Sequence, residues 1–119
     1  RVMMAEHEAE GDDRRIVGVL HDIAEDWPGW TIGALRDRGF APHILDAIDA
    51  ITRREGEEYM AYIARCAENE IARDVKLADL ADNMLRCDMS PSPHNRSLHR
   101  RYAAARDYIE GVMDAEMRA

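Results

Sequence analysis

His21, Asp22, Glu25 and Asp26 put an imidazole and three carboxylates within six consecutive residues. Such a mixed nitrogen and oxygen donor set suits a divalent cation. On a helix, Glu25 falls roughly 40°, Asp22 roughly 100° and Asp26 roughly 140° from His21. The apolar Val19, Ile23, Ile16, Leu20, Ala24 and Val17 fall roughly between 160° and 320°. One face therefore carries chemistry and the other is core. The same pattern also describes a solvated helix face with Arg14 and Arg15 as ion-pair partners. Two features point past that reading. The carboxylates repel one another unless a cation neutralises them. Gly18, on the same face, costs ~1 kcal/mol relative to alanine and suits a backbone that something approaches closely. Two ligands do not hold a metal, so at least one more must come from another element.

The segment Lys76-Leu77-Ala78-Asp79-Leu80-Ala81-Asp82-Asn83-Met84 supplies the candidate. Lys76, Asp79 and Asn83 form a narrow stripe spanning roughly 60° on a helix, with Leu77, Leu80, Met84 and Leu85 opposite. Asp79 sits at the border of the core, where an unpaired carboxylate is expensive. An ion pair with Lys76, three residues earlier, is the simplest structural use of both residues. Lys76 is also the only lysine among 16 basic residues.

Taken together, these residues resemble a known family. His21-Asp22-Ile23-Ala24-Glu25-Asp26 resembles the H-D-x-x-E-D block of the HD-domain metal-dependent phosphohydrolases. The fuller match is to their RelA/SpoT-type branch, which hydrolyses guanosine polyphosphates. Val75-Lys76-Leu77-Ala78-Asp79 with Asn83-Met84 resembles that branch's V-K-L-A-D…N-M block. Between them, Ala50-Ile51-Thr52-Arg53-Arg54-Glu55-Gly56-Glu57 is similar to its threonine-basic-glycine stretch.

The resemblance implies that His21, Asp22 and Asp79 ligate a metal, usually Mn²⁺. It implies that Glu25 and Asp26 orient or deprotonate the attacking water, that Asn83 contacts the nucleotide and that Lys76 helps to neutralise phosphate. The implied reaction removes the 3′-diphosphate of ppGpp or pppGpp, giving GDP or GTP and pyrophosphate. The family's further metal-binding histidine is expected just upstream of Arg1. His7, among Glu6, Glu8 and Glu10, stands too late to replace it. Two alternatives stay open: an HD phosphohydrolase for another nucleotide or phosphoester, and a catalytically silent helical module that binds a nucleotide or a partner.

Helices must position these groups, and helical spacing runs through almost the whole chain. Asp12 and Asp13 are the expected start of the first clear helix, which Pro28-Gly29 ends. Residues 1–10 read as the tail of an earlier helix. Thr31 caps a short helix ending at Gly39. Pro42 opens the next, with Ile44, Leu45, Ile48 and Ile51 buried. Glu57 to Glu68 forms another, packing Tyr59, Tyr62, Ile63 and Cys66. Asn69 caps a helix from Glu70 to Leu85, and Ser90-Pro91-Ser92-Pro93 is a loop. A last helix runs from Asn95 through Tyr102, Ile109 and Met113. The expected fold is all-α, a single compact HD-domain-like bundle of about six helices.

Composition sets the remaining bounds. With 24 acidic against 16 basic residues the formal charge is −8, which disfavours an electrostatic grip on nucleic acid or an anionic membrane. A cation held by the chain's own carboxylates would let it take an anionic nucleotide. Arg53, Arg54, Arg100 and Arg101 are rim candidates, though surface solubility is the simpler role for each. Trp27 and Trp30 are more simply packing than a base-stacking wall. Met84, Met113 and Met117 read as core filler, and His43, His94 and His99 as surface residues. Cys66 and Cys87 lack metal-site spacing and fit reduced thiols. No run approaches the ~20 apolar residues of a membrane span, and no signal-peptide pattern opens the sequence. The expected location is cytoplasmic.

Overall fold

The computed structural model describes residues 5–27 and 29–119, with side chains described from residue 12 onward except at 24, 25 and 28. These residues form six α-helices: α1 Ala5–Asp26, α2 Ile32–Asp37, α3 Pro42–Ile51, α4 Tyr59–Ala67, α5 Glu70–Met89 and α6 Pro93–Arg118. No strand occurs among the described residues. The all-α bundle expected from the spacing is the observed architecture. None of the helices is long and apolar enough to cross a membrane.

Local chemistry sets most boundaries. Thr31 accepts a hydrogen bond from the Ala34 N–H, satisfying one of the orphan donors at the start of α2. Gly39 then adopts φ +88°, a left-handed conformation open to glycine, and the chain turns toward α3. Pro42 occupies the first turn of α3, where its missing N–H costs nothing. Asn69 caps α5 by accepting from the Ile71 and Ala72 N–H groups.

Several boundaries differ from expectation, and α4 begins at Tyr59 instead of Glu57 because the Glu58 side chain caps it. The first helix is continuous from Ala5, so Asp12 and Asp13 lie inside it. Alanine and glutamate between residues 5 and 10 favour helix even without an apolar stripe. α5 runs one turn beyond Leu85, to Met89. Pro93 belongs to the first turn of α6, behind a Ser92 side chain that accepts from the Asn95 N–H. A proline bars the interior of a helix, not its first turn.

The core gathers one stripe from each helix: Val17 and Leu20, Leu35, Ile44, Ile48 and Ile51, Ile63 and Cys66, Leu80 and Met84, Ala105 and Ile109. Val17, Ile51, Ile63, Leu80 and Ile109 are fully buried. Met113 packs against this core, but Met117 is 85% exposed and fills none of it. Trp30 also packs on the core, with the Arg38 guanidinium 4.4 Å from its ring centre, whereas Trp27 is exposed.

α4 holds α3 by its exposed end. A helix leaves its last carbonyls without intrahelical partners, and here α4 supplies them. Tyr62 Oη donates to the Ile51 carbonyl at 2.6 Å. Arg65 donates to the carbonyls of Asp49, Ala50 and Thr52, and Cys66 Sγ donates to Ala50. The other edge of the Arg65 guanidinium grips both carboxylate oxygens of Glu57. That pairing, aided by the Arg54 N–H, holds the Glu57 carboxyl at about 2 rather than 4.5. The tight turn at Gly56, φ +74°, brings Glu57 back to this position.

Candidate functional site

α1 and α5 meet along a register fixed by charge. Arg14 Nε donates to Asp74 Oδ2 at 2.7 Å, with both side chains about one-third exposed. Arg14 thus ties α1 to α5, while Arg15 stays near Asp12 at 3.5 Å. Beyond that clamp, residues of both helices line a cleft of about 400 Å³. His21 and Asp22 of α1 and Asp79 and Asp82 of α5 all line it, with Ile51 of α3 and Val75 as apolar walls. The three proposed metal ligands thus face one cavity, and Asp82 adds a carboxylate not anticipated as a ligand.

Burial divides the pair on α1. His21 is buried although its helical angle places it on the polar face, because α5 covers that edge of α1. Asp22 is exposed at the mouth of the cleft. Gly18 lines the same cleft, but a Cβ added there would meet only Val75 Cγ1, at an ordinary 3.8 Å. Among the described residues, no side chain makes the expected close approach to the Gly18 backbone.

On α5 the stripe Lys76–Asp79–Asn83 forms as its spacing required. Lys76 Nζ donates to Asp79 Oδ2 at 3.0 Å, and Asn83 Nδ2 lies 3.4 Å from the same oxygen. Neither bond uses Oδ1. Lys76 is buried, and its ammonium stands 5.2 Å from the Tyr62 ring centre, a cation–π distance. A buried ammonium is tolerable only when paired, so the ion pair accounts for a lysine at this position.

Tyr59 lies beside this stripe. Its ring is flanked by the guanidinium groups of Arg101, at 3.6 Å, and Arg53, at 5.4 Å. Its hydroxyl is buried without a hydrogen-bond partner among the described residues. Burial, with a smaller push from neighbours that include the Asp79 carboxylate and against the pull of Arg101, raises the phenol to about 12. Of the four rim arginines, Arg53 and Arg101 flank Tyr59, Arg54 pairs with Asp49 at 3.5 Å, and Arg100 lines a different cleft. They form no single rim.

The proposed water-handling residues are less informative. Asp26 is exposed at the end of α1 and is not among the residues lining the cleft. Glu25 belongs to α1, but its side chain lies outside the described residues, as do residues 1–4 and Pro28. Cys66 and Cys87 are free and buried, and burial pushes the Cys66 thiol up. His43 pairs with Asp13 at 2.9 Å and His99 approaches Asp88 at 3.5 Å, both as partly exposed residues.

The donor chemistry of the cleft, one imidazole and several carboxylates, fits a hard or borderline divalent cation. Among the described residues, no three His, Cys, Asp or Glu side chains already stand grouped around a common ion position. Asp79 is held by Lys76 and Asn83, and Asp22 keeps the rotamer freedom of an exposed side chain. No known family model and no curated protein matches this chain.

Proposed function

We propose that the chain is an HD-type metal-dependent phosphohydrolase that removes the 3′-diphosphate of ppGpp or pppGpp, releasing pyrophosphate. The observation that carries the reading is one cleft lined by His21, Asp22 and Asp79 from two different helices. Its sequence support is the three-block resemblance described above. His21, Asp22 and Asp79 would hold the cation, and Mn²⁺ suits the donor set. When bound, the cation neutralises phosphate charge and makes a coordinated water more acidic.

The chain's own groups do the rest. Lys76 and Asn83 fix the Asp79 carboxylate through Oδ2, leaving Oδ1 for ligation. Glu25 would accept a proton from the attacking water, while Asp26, exposed outside the lining of the cleft, is left without that role. Asn83 contacts the nucleotide. Lys76 adds positive charge beneath the phosphates while it stays on Asp79. Cytoplasmic location accords with that substrate.

The test is pyrophosphate release from ppGpp in the presence of Mn²⁺, beside phosphate release from a panel of other nucleotides. Asp79→Ala is expected to lose metal and turnover together, whereas Glu25→Ala keeps metal and loses turnover. Equal loss of metal in both variants contradicts the assigned roles. Release of phosphate from other nucleotides, with ppGpp untouched, moves the substrate to another phosphoester. The Lys76–Asp79 ion pair favours one rival reading, a catalytically silent module in which that pair is purely structural. Failure to take up Mn²⁺ selects the rival.

A further inference from the structure

The junction of α5 and α6 carries a second cleft of about 400 Å³, which shares no lining residue with the first. Asp88 lines it from α5, and Asn95, Arg96, His99 and Arg100 line it from α6. In a chain with 24 acidic residues, arginines readily find carboxylates. Arg14, Arg15, Arg54, Arg65, Arg73 and Arg106 do, whereas Arg36, Arg38, Arg53, Arg86, Arg101 and Arg118 show none among the described residues, so it is the neighbouring of two unpaired arginines at one cleft that matters. Arg96 and Arg100 have no carboxylate partner among the described residues.

Their spacing makes this informative. Residues four apart on a helix are neighbours, and two like charges there repel. A shared anion reverses the sign of that interaction. Asp88, the carboxylate in the cleft, is directed to His99 at 3.5 Å. At the start of α6, Ser92 takes the N–H groups of Asn95 and Arg96 through its hydroxyl and its carbonyl. Side chains, not a helix terminus, therefore supply the positive charge. Guanidinium groups bind phosphate oxygens in bidentate fashion, and the volume exceeds what one phosphate needs.

We infer that this cleft is an oxyanion site that takes a phosphoryl group, free or esterified, between the guanidinium groups of Arg96 and Arg100. It is independent of the metal centre and stands whether or not the hydrolase reading does.

The experiment titrates the metal-free full chain, in EDTA, with inorganic phosphate at constant ionic strength. Binding is followed by the Nε–Hε NMR signals of assigned arginines. Phosphate is expected to shift Arg96 and Arg100 with a saturating curve, and sodium chloride to leave them in place. Arg96→Gln with Arg100→Gln is expected to weaken binding at least tenfold, with unchanged circular dichroism as evidence of folding. Asp79→Ala is expected to bind phosphate as the parent does, which separates this site from the first. A nucleoside monophosphate binding more tightly than phosphate assigns an esterified ligand, and equal binding assigns the free ion. Shifts no larger than those from chloride, or equal affinity in the double variant, overturn the assignment.

Discussion

Replacing Tyr62 by phenylalanine removes one oxygen, and the structure sets what that removal should cost. Tyr62 is 4% exposed and Ile51, whose carbonyl accepts its 2.6 Å hydrogen bond, is 0% exposed. Water cannot easily replace the lost donor, so the Ile51 carbonyl stays desolvated at the end of α3. Leaving a buried acceptor unsatisfied costs about 1–3 kcal/mol, and ~2 kcal/mol is a fair centre. Unfolding entropy near ~2.1 cal/mol/K per residue, summed over this chain length, turns that into a Tm lower by about 8 °C. The assay is thermal and urea unfolding followed by far-UV circular dichroism. Tyr59→Phe is the internal comparison, because its hydroxyl is buried with no partner among the described residues. Deleting that hydroxyl removes a desolvated group that forms no bond, so Tm should hold or rise by the equivalent of up to ~1 kcal/mol. Equal losses in the two variants, or a Tyr62→Phe loss within about 0.5 kcal/mol of zero, would refute the claim that α4 supports α3 through its terminal carbonyls.

Other expectations follow from the same contacts. The Glu57 carboxyl is held near 2 instead of 4.5, so its stabilising contribution is complete above about 4.5 and is lost as pH falls toward about 2. Acid unfolding of Glu57→Gln should therefore show a shallower decline in stability across that window, measured by denaturant midpoints at each pH. Gly18→Ala should fold at least as stably as the parent, by up to ~1 kcal/mol, because the new methyl meets only Val75 at 3.8 Å; a clear loss in urea unfolding would contradict this. Ile63→Ala, at a fully buried position, should cost about 2–5 kcal/mol, and a smaller loss by urea titration would mean that the core closes over the gap.

Much of the frame was legible because its signals are local. Thr31, Gly39, Pro42 and Asn69 each act on backbone groups within a few residues, so their types and positions suffice to place helix ends. The stripe Lys76–Asp79–Asn83 follows from helical spacing alone, and its ion pair appears as expected. Contacts between distant helices were harder to read. Arg65 looks like any surface arginine in a helical pattern, since three of its partners are backbone carbonyls at and just beyond the end of α3, which carry no residue signature. Arg14 likewise reads as a partner for the acids of its own helix, and its bond to Asp74 on α5 leaves no trace in the spacing. His21 falls on the polar face by angle but is buried, because α5 packs over the flank of α1. A projection of a single helix cannot include that second wall. The N-terminal part of α1 reads as the tail of a separate helix, because the apolar period fades there and only intrinsic propensity carries the helix on into Asp12 and Asp13.

The most direct measurement of the central claim is a Mn²⁺ titration of the chain, with free ion counted by electron paramagnetic resonance. The account predicts saturable uptake of the ion that disappears in His21→Ala and in Asp79→Ala while both variants keep their helical spectrum. Uptake that persists undiminished in those variants, or none at all in the parent chain, would contradict a metal centre shared by α1 and α5.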